Sequence, residues 1–197
     1  MRKQISLRTY RRIDLCLFCT LAFLMEALIV TAYSRWFPEL PYTVSITGVL
    51  TAITLFRWGL PGILIAIVGG VSFCLFSFAQ PLQYLIYVVG NIFALVMLVP
   101  LRLLGWKKLR SQAIYCMAFG LGSVICMQTG RALISLFVGY APAIALHFYL
   151  TDTLSGLFAI VIMWIARRLD GVLEEQMHYV QRQHKENETV GGTEAWQ

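Results

Sequence analysis

Charged side chains are scarce in this chain: ten Asp and Glu and sixteen Lys and Arg make up 13% of its 197 residues. A soluble domain carries about 25% charged residues. With 58% hydrophobic residues and a mean hydropathy of +0.70, the composition excludes an ordinary soluble domain and reads as an integral membrane protein. The recognisable catalytic signatures are also missing. There is no Walker A lysine loop, so the chain has no ATP site of that kind. No HExxH, GxSxG or paired intramembrane acid motif occurs, and with only three histidines we expect neither enzymatic activity nor a cofactor nor a metal. The five cysteines, Cys16, Cys19, Cys74, Cys116 and Cys126, lie inside apolar runs. Cys16 and Cys19 have a redox-like or zinc-like spacing without further ligands in a polar loop, so all five read as small packing residues. The net charge of +6 would suggest nucleic acid in a soluble chain, but the basic residues stand at the ends of apolar runs, where membrane orientation explains them. No nucleic-acid partner is expected.

Apolar runs long enough to span a bilayer, or somewhat shorter when tilted, predict six helices at about 13–33, 41–57, 59–78, 82–104, 112–138 and 142–166. Pro38 and Pro41 break the first junction, Arg57-Trp58-Gly59-Leu60-Pro61 the second and Gln80-Pro81 the third. Gly105 to Arg110 form the fourth junction, and Gly139-Tyr140-Ala141-Pro142 the fifth. Arg2, Lys3, Arg8, Arg11, Arg12, Arg57, Arg102, Lys107, Lys108, Arg110, Arg167 and Arg168 fall on one side, against Arg35 on the other. That asymmetry predicts both termini in the cytoplasm. The expected fold is therefore an all-α six-transmembrane-helix bundle: a basic cytoplasmic N-terminus at 1–12, a membrane domain at 13–168, and a cytoplasmic extension at 169–197. Ala32-Tyr33-Ser34 offers a signal-peptidase-like site, but the preceding apolar run is longer than a signal core and Glu26 interrupts it, so we read a membrane helix. Leu169, Val172, Leu173, Met177 and Val180 recur near helical spacing. They predict that the last helix continues beyond the membrane before a polar, disordered end from about Lys185.

Against this apolar background, six polar side chains stand out inside the spans: Glu26, Asn91, Gln128, Arg131, His147 and Asp152. An ionisable group in hydrocarbon costs roughly 2.5–3.5 kcal/mol on insertion scales, so each needs a partner, a wet cavity or a ligand. At a rise of 1.5 Å per residue, Glu26 and Arg131 lie roughly 10 Å from the outer surface, Asn91, Gln128 and Asp152 roughly 14 Å, and His147 roughly 8 Å. All six fall in the outer half. Tyr84, Tyr87 and Asn91, at i, i+3 and i+7, share a face of a regular helix, as do Gln128 with Arg131 and Glu26 with Tyr33. His147 and Asp152 are five apart and point in different directions. Two readings stand for each residue. Arg131 either meets a ligand or neutralises Asp152 or Glu26; Asn91 and Gln128 either orient a ligand or bond neighbouring helices; His147 is interfacial or a contact; and the tyrosines line a site or belong to the aromatic belt. Trp36 and Tyr42 form either a lid or an interfacial anchor. The inner half lacks the polar rings of a pore.

Small residues mark other faces. Gly62, Ala66 and Gly70 form one small-xxx-small row, and Ala118, Gly122, Cys126 and Gly130 another, both read as close packing within the molecule. Thr47, Thr51 and Thr54 form a polar stripe expected to be satisfied by backbone bonds within their own helix.

The run Arg57-Trp58-Gly59-Leu60-Pro61-Gly62, followed by Ala66, Gly69-Gly70, Pro81, Tyr84 and Gly90-Asn91, resembles the middle of the substrate-binding S components of energy-coupling factor (ECF) transporters. The resemblance covers about residues 10–168. It implies a bacterial, multi-pass cell-membrane protein that captures a vitamin or similar micronutrient near the outer surface. A transmembrane T component and two cytoplasmic ATPases would then drive uptake. With the polar cluster read above as its cavity, the expected substrate site comprises Glu26, Tyr84, Tyr87, Asn91, Gln128, Arg131, His147 and Asp152. Such subunits commonly carry an alanine-rich docking face on the first helix; here only Cys16, Thr20, Ala27 and Thr31 stand near one. A non-transporting scaffold or assembly protein is the main alternative, and a stand-alone secondary transporter the second, for which no inverted repeat is evident.

Overall fold

The structure, a computed structural model, describes residues 7–37, 39, 44–169, 171–174 and 176. These residues form helices and turns without a strand. Helix α1 (Leu7–Trp36) runs for 30 residues that contain neither proline nor glycine, so nothing in the sequence breaks its backbone ladder. Helix α2 (Thr47–Trp58) stops at Gly59, whose φ of +65° suits a residue without a Cβ, and Gly59 N–H closes the helix on Leu55 O at 2.8 Å. Pro61 then sits in the first turn of α3 (Leu60–Phe76), where its missing N–H costs no hydrogen bond. Gln80 precedes α4 (Pro81–Ser111), and its N–H is capped by Gln83 Oε1 at 3.0 Å. Helix α5 (Ala113–Phe137) ends near Gly139, at φ +95°. Helix α6 (Pro142–Ala166) is interrupted once, at Asp152.

Four of these, α1, α4, α5 and α6, are long and apolar enough to cross a membrane. Helix α3 is apolar but shorter. Helix α2, with 12 residues, reaches only about 18 Å, well short of a hydrocarbon core of roughly 30 Å. The second span expected at 41–57 thus begins as a helix only at Thr47; Tyr42 and the other residues at 41–43 lie outside the described residues. Helix α2 compensates by position. From Thr47 to Arg57 it is buried on every side, as expected of a helix at the centre of a bundle. It touches α1, α3, α4, α5 and α6, while α5 packs on α2, α4 and both halves of α6. Phe56 and Phe119 meet edge to face at 6.0 Å in the main core. Helix α1 instead packs along α3 and leaves Leu17, Leu24 and Leu28 exposed, an apolar outer face suited to lipid.

Two junctions differ from the expectation. Residues 106–111, read as a loop, continue as helix after a kink at Gly105, whose φ of 74° and ψ of 149° leave the helical region; the kink itself falls at the glycine named in the sequence. Beyond Ala166, the helical spacing of Leu169, Val172 and Leu173 does not extend α6, because Arg167–Leu169 turn and Gly171 adopts φ +78°. Leu173 is instead fully buried in the main core. Arg57 donates to Gly171 O at 2.7 Å and Val172 O at 3.2 Å, and Arg110 pairs with Glu174, so this segment folds back on the bundle. Arg2, Lys3, Met177, Val180 and the tail from Lys185 lie outside the described residues.

The small-residue rows act within the molecule. A Cβ on Gly90 would stand 2.7 Å from Arg131 Cα and N, and one on Gly130 would stand 2.2 Å from Gly90 O. The α4–α5 crossing is therefore a backbone-to-backbone contact that only glycine permits. Gly70 similarly lets α3 approach Asn91 and the Tyr87 carbonyl.

Candidate functional site

That glycine crossing brings the polar residues together. Arg131 on α5 donates from Nε to Asn91 Oδ1 at 2.9 Å, and from Nη1 to Asp152 Oδ2 at 3.3 Å and Gln128 Oε1 at 3.4 Å. Its guanidinium lies over the Tyr87 ring, 4.7 Å from the centroid. Tyr87 is held in turn by Phe73, at 4.5 Å, and by the edge of Phe148. Asn91 Nδ2 donates to Ala66 O at 2.9 Å, tying α4 to α3. Of the two partners considered for Arg131, the structure selects Asp152.

Asp152 sits at the break in α6, with φ −103° and ψ 16°. The break turns its carboxylate inward, where Gln128 Nε2 and Ser155 Oγ donate to it alongside Arg131. Ser155 Oγ also accepts from Ser45 N–H at 2.8 Å, and Ser45 Oγ donates to Glu26. Thr47 completes the chain by donating to Glu26 Oε1 from Oγ1 at 2.5 Å and from N at 3.4 Å. An unbroken run of hydrogen bonds therefore joins Ala66 and Asn91 to Glu26 through Arg131, Asp152, Ser155 and Ser45. Glu26, Asn91, Gln128, Arg131 and Asp152 are all buried.

Two atoms on this run, one at its Glu26 end and one at Arg131 within it, make no hydrogen bond among the described residues. Glu26 is 1% exposed, and its Oε2 has no hydrogen-bond partner. Arg131 Nη2 makes no hydrogen bond among the described residues. The orphaned acceptor is buried, and a donor that made a hydrogen bond to it would satisfy it. Among the described residues no cluster of three or more His, Cys, Asp or Glu is placed to hold a metal ion.

The remaining sequence candidates stand apart. His147 is exposed, on a different face from Asp152, as their spacing requires. Tyr84 is half-buried and makes no side-chain contact comparable to that of Tyr87. The shared face of Tyr84, Tyr87 and Asn91 presupposes a regular α period, whereas α4 passes through a π turn at Leu85–Val89 and a 3-10 stretch at Ile92–Met97. Tyr87 and Asn91 still meet at Arg131, whereas Tyr84 makes no hydrogen bond or ring contact there among the described residues. Trp36, at the end of α1, is 71% exposed. Ser45, Thr47 and Ser155 were not singled out as site residues, although Ser155 follows Asp152 at i+3. The expectation for the threonine stripe holds at Thr54, which bonds Leu50 O at 2.9 Å and Thr51 O at 3.0 Å. Thr47 instead serves Glu26, and Thr51 Oγ1 has no partner.

Among the described residues, fold and site together define an all-helical protein with four helices long and apolar enough to cross a membrane, and with a buried polar network between them. Compared with known protein families, curated proteins and solved structures, the chain has no match.

Proposed function

We propose that the chain is a substrate-capture subunit of an ECF-type importer, a six-span cell-membrane protein with cytoplasmic termini that binds a small vitamin-like molecule in the outer half of the bilayer. The observation that carries this reading is Glu26 Oε2, a buried acceptor without a hydrogen-bond partner, on the same polar run as Arg131, whose Nη2 makes no hydrogen bond among the described residues. A buried unpaired carboxylate oxygen is costly, and a ligand N–H or O–H would remove that cost. A ligand carbonyl or anionic group would meet Arg131, and a planar portion would fit beside Tyr87. The sequence resemblance supplies the transporter class, and the lack of a Walker A loop agrees with energy coupling by other subunits.

One observation favours a second reading, a membrane scaffold. Three of the hydrogen bonds at Arg131 go to Asn91, Gln128 and Asp152, as expected of a knot that holds helices together. Purifying the tagged chain from its own membranes in mild detergent distinguishes the two. The importer reading predicts that a transmembrane partner and ATP-hydrolysing subunits co-purify, with ATPase activity in the eluate. A stable complex with envelope-assembly proteins and no ATPase activity would favour the scaffold.

A further inference from the structure

At the end of the bundle opposite the polar network, the start of α1, the end of α2 and the kinked part of α4 enclose a cavity of about 650 Å³. Arg8, Arg11, Arg57 and Arg102 line it together with Trp58 and Trp106, and no carboxylate lines it among the described residues. The four arginines have different tasks. Arg57 is buried and engaged: Nε and Nη2 hold Asp14 at 3.0 and 2.9 Å, and Nη1 holds the Gly171 and Val172 carbonyls. Asp14, the carboxylate behind this wall, also accepts from Trp58 Nε1 at 2.5 Å. Arg8, Arg11 and Arg102 are exposed, and their side chains make no ion pair or hydrogen bond among the described residues. Three free guanidinium groups thus converge on one concavity whose acid neighbour is already neutralised.

We propose that this cavity is a binding site for a phosphate ester, and that its occupant is the headgroup of an anionic phospholipid. Arginine forks match phosphate oxygens in a bidentate geometry that lysine cannot reproduce. The surroundings favour a lipid over a soluble phosphate. Leu60, beside Gly59 in the cavity wall, is 60% exposed, and Leu103, next to Arg102, is 80% exposed. Apolar side chains left open next to a basic concavity suit acyl chains attached to the bound headgroup. Trp58 and Trp106 line the same cavity; indole rings favour the membrane–water boundary, and basic pockets between helices there recognise anionic headgroups. The site is separate from the Glu26–Arg131 network and holds whether or not that network captures a ligand.

The test is native mass spectrometry of the purified full chain in detergent, titrated with phosphatidylglycerol, phosphatidylcholine or inorganic phosphate. The double variant Arg11→Gln/Arg102→Gln is compared with Arg12→Gln/Lys108→Gln, which removes the same charge outside the cavity. The parent and the control should retain phosphatidylglycerol on the order of tenfold better than phosphatidylcholine, and the cavity variant should lose that preference. Arginine-dependent binding of inorganic phosphate without a lipid preference would keep the phosphate site and assign it to a soluble ester. Equal retention of both lipids by the parent with no phosphate binding, or equal losses in the cavity variant and the control, would overturn the proposal. Unchanged elution of both variants on gel filtration excludes misfolding as the cause.

Discussion

Removing the charge of Asp152 should reveal how strongly the polar network holds the bundle. The Arg131 to Asp152 distance is 3.3 Å, and the two side chains are 9% and 6% exposed. At an effective dielectric constant of about 20, the Coulomb attraction at that distance is about 5 kcal/mol, an upper limit because desolvation opposes it. The opposite limit comes from interhelical hydrogen bonds in membranes, which average about 0.6 kcal/mol in double-mutant cycles. Asp152 exceeds that average because three donors converge on one carboxylate and because its loss strands a buried guanidinium. Asp152→Ala is therefore expected to destabilise the protein by about 3–5 kcal/mol. Asp152→Asn retains one acceptor oxygen and should cost about half as much. In a double-mutant cycle with Arg131→Gln, followed by equilibrium unfolding in mixed micelles as SDS is increased, the coupling should be about 2–3 kcal/mol. A coupling below about 0.5 kcal/mol would refute the reasoning, because it would mean that water already screens the pair.

Asp14→Ala should destabilise by about 3 kcal/mol in the same unfolding assay, since it leaves Arg57, 8% exposed, without its bidentate carboxylate; a loss below about 1 kcal/mol would show that solvent stabilises Arg57. Gly90→Ala should cost about 1–3 kcal/mol, because the added carbon would meet Arg131 backbone at 2.7 Å. Gly122→Ala should be tolerated far better, because its nearest neighbour, at 2.9 Å, is the flexible end of Met97; equal losses for the two glycines would contradict the backbone-contact argument.

The sequence made the helical class and most helix boundaries legible because apolar runs and Pro-Gly breaks are local signals. Gly59, Pro61, Gln80-Pro81, Gly139 and Pro142 all stand at helix ends. Part of the clustering was legible too: five of the six polar residues singled out in the apolar runs are buried, and four of them, Asn91, Gln128, Arg131 and Asp152, meet directly. What remained hidden depends on departures from regular geometry or on contacts distant in sequence. The π turn at Leu85–Val89 departs from the regular period on which the shared face of Tyr84, Tyr87 and Asn91 was based, and the helix break at Asp152 has no proline or glycine to announce it. Ser45 looks like an ordinary loop residue until the fold sets its N–H against Ser155, 110 positions away. The Asp14–Arg57–Trp58 cluster was equally invisible, since nothing local to Arg57 or Trp58 points to Asp14, which lies 43 positions before Arg57.

The most direct test of ligand capture is native mass spectrometry and metabolite extraction on the detergent-purified protein beside Glu26→Gln. That variant keeps an Oε1 acceptor for Ser45 and Thr47 but replaces the free acceptor oxygen with a donor, so the fold should survive while the site is inverted. A small molecule retained by the parent and lost from a variant of unchanged stability is the expected result. An empty parent, or a molecule held equally by both proteins, would contradict substrate capture at Glu26.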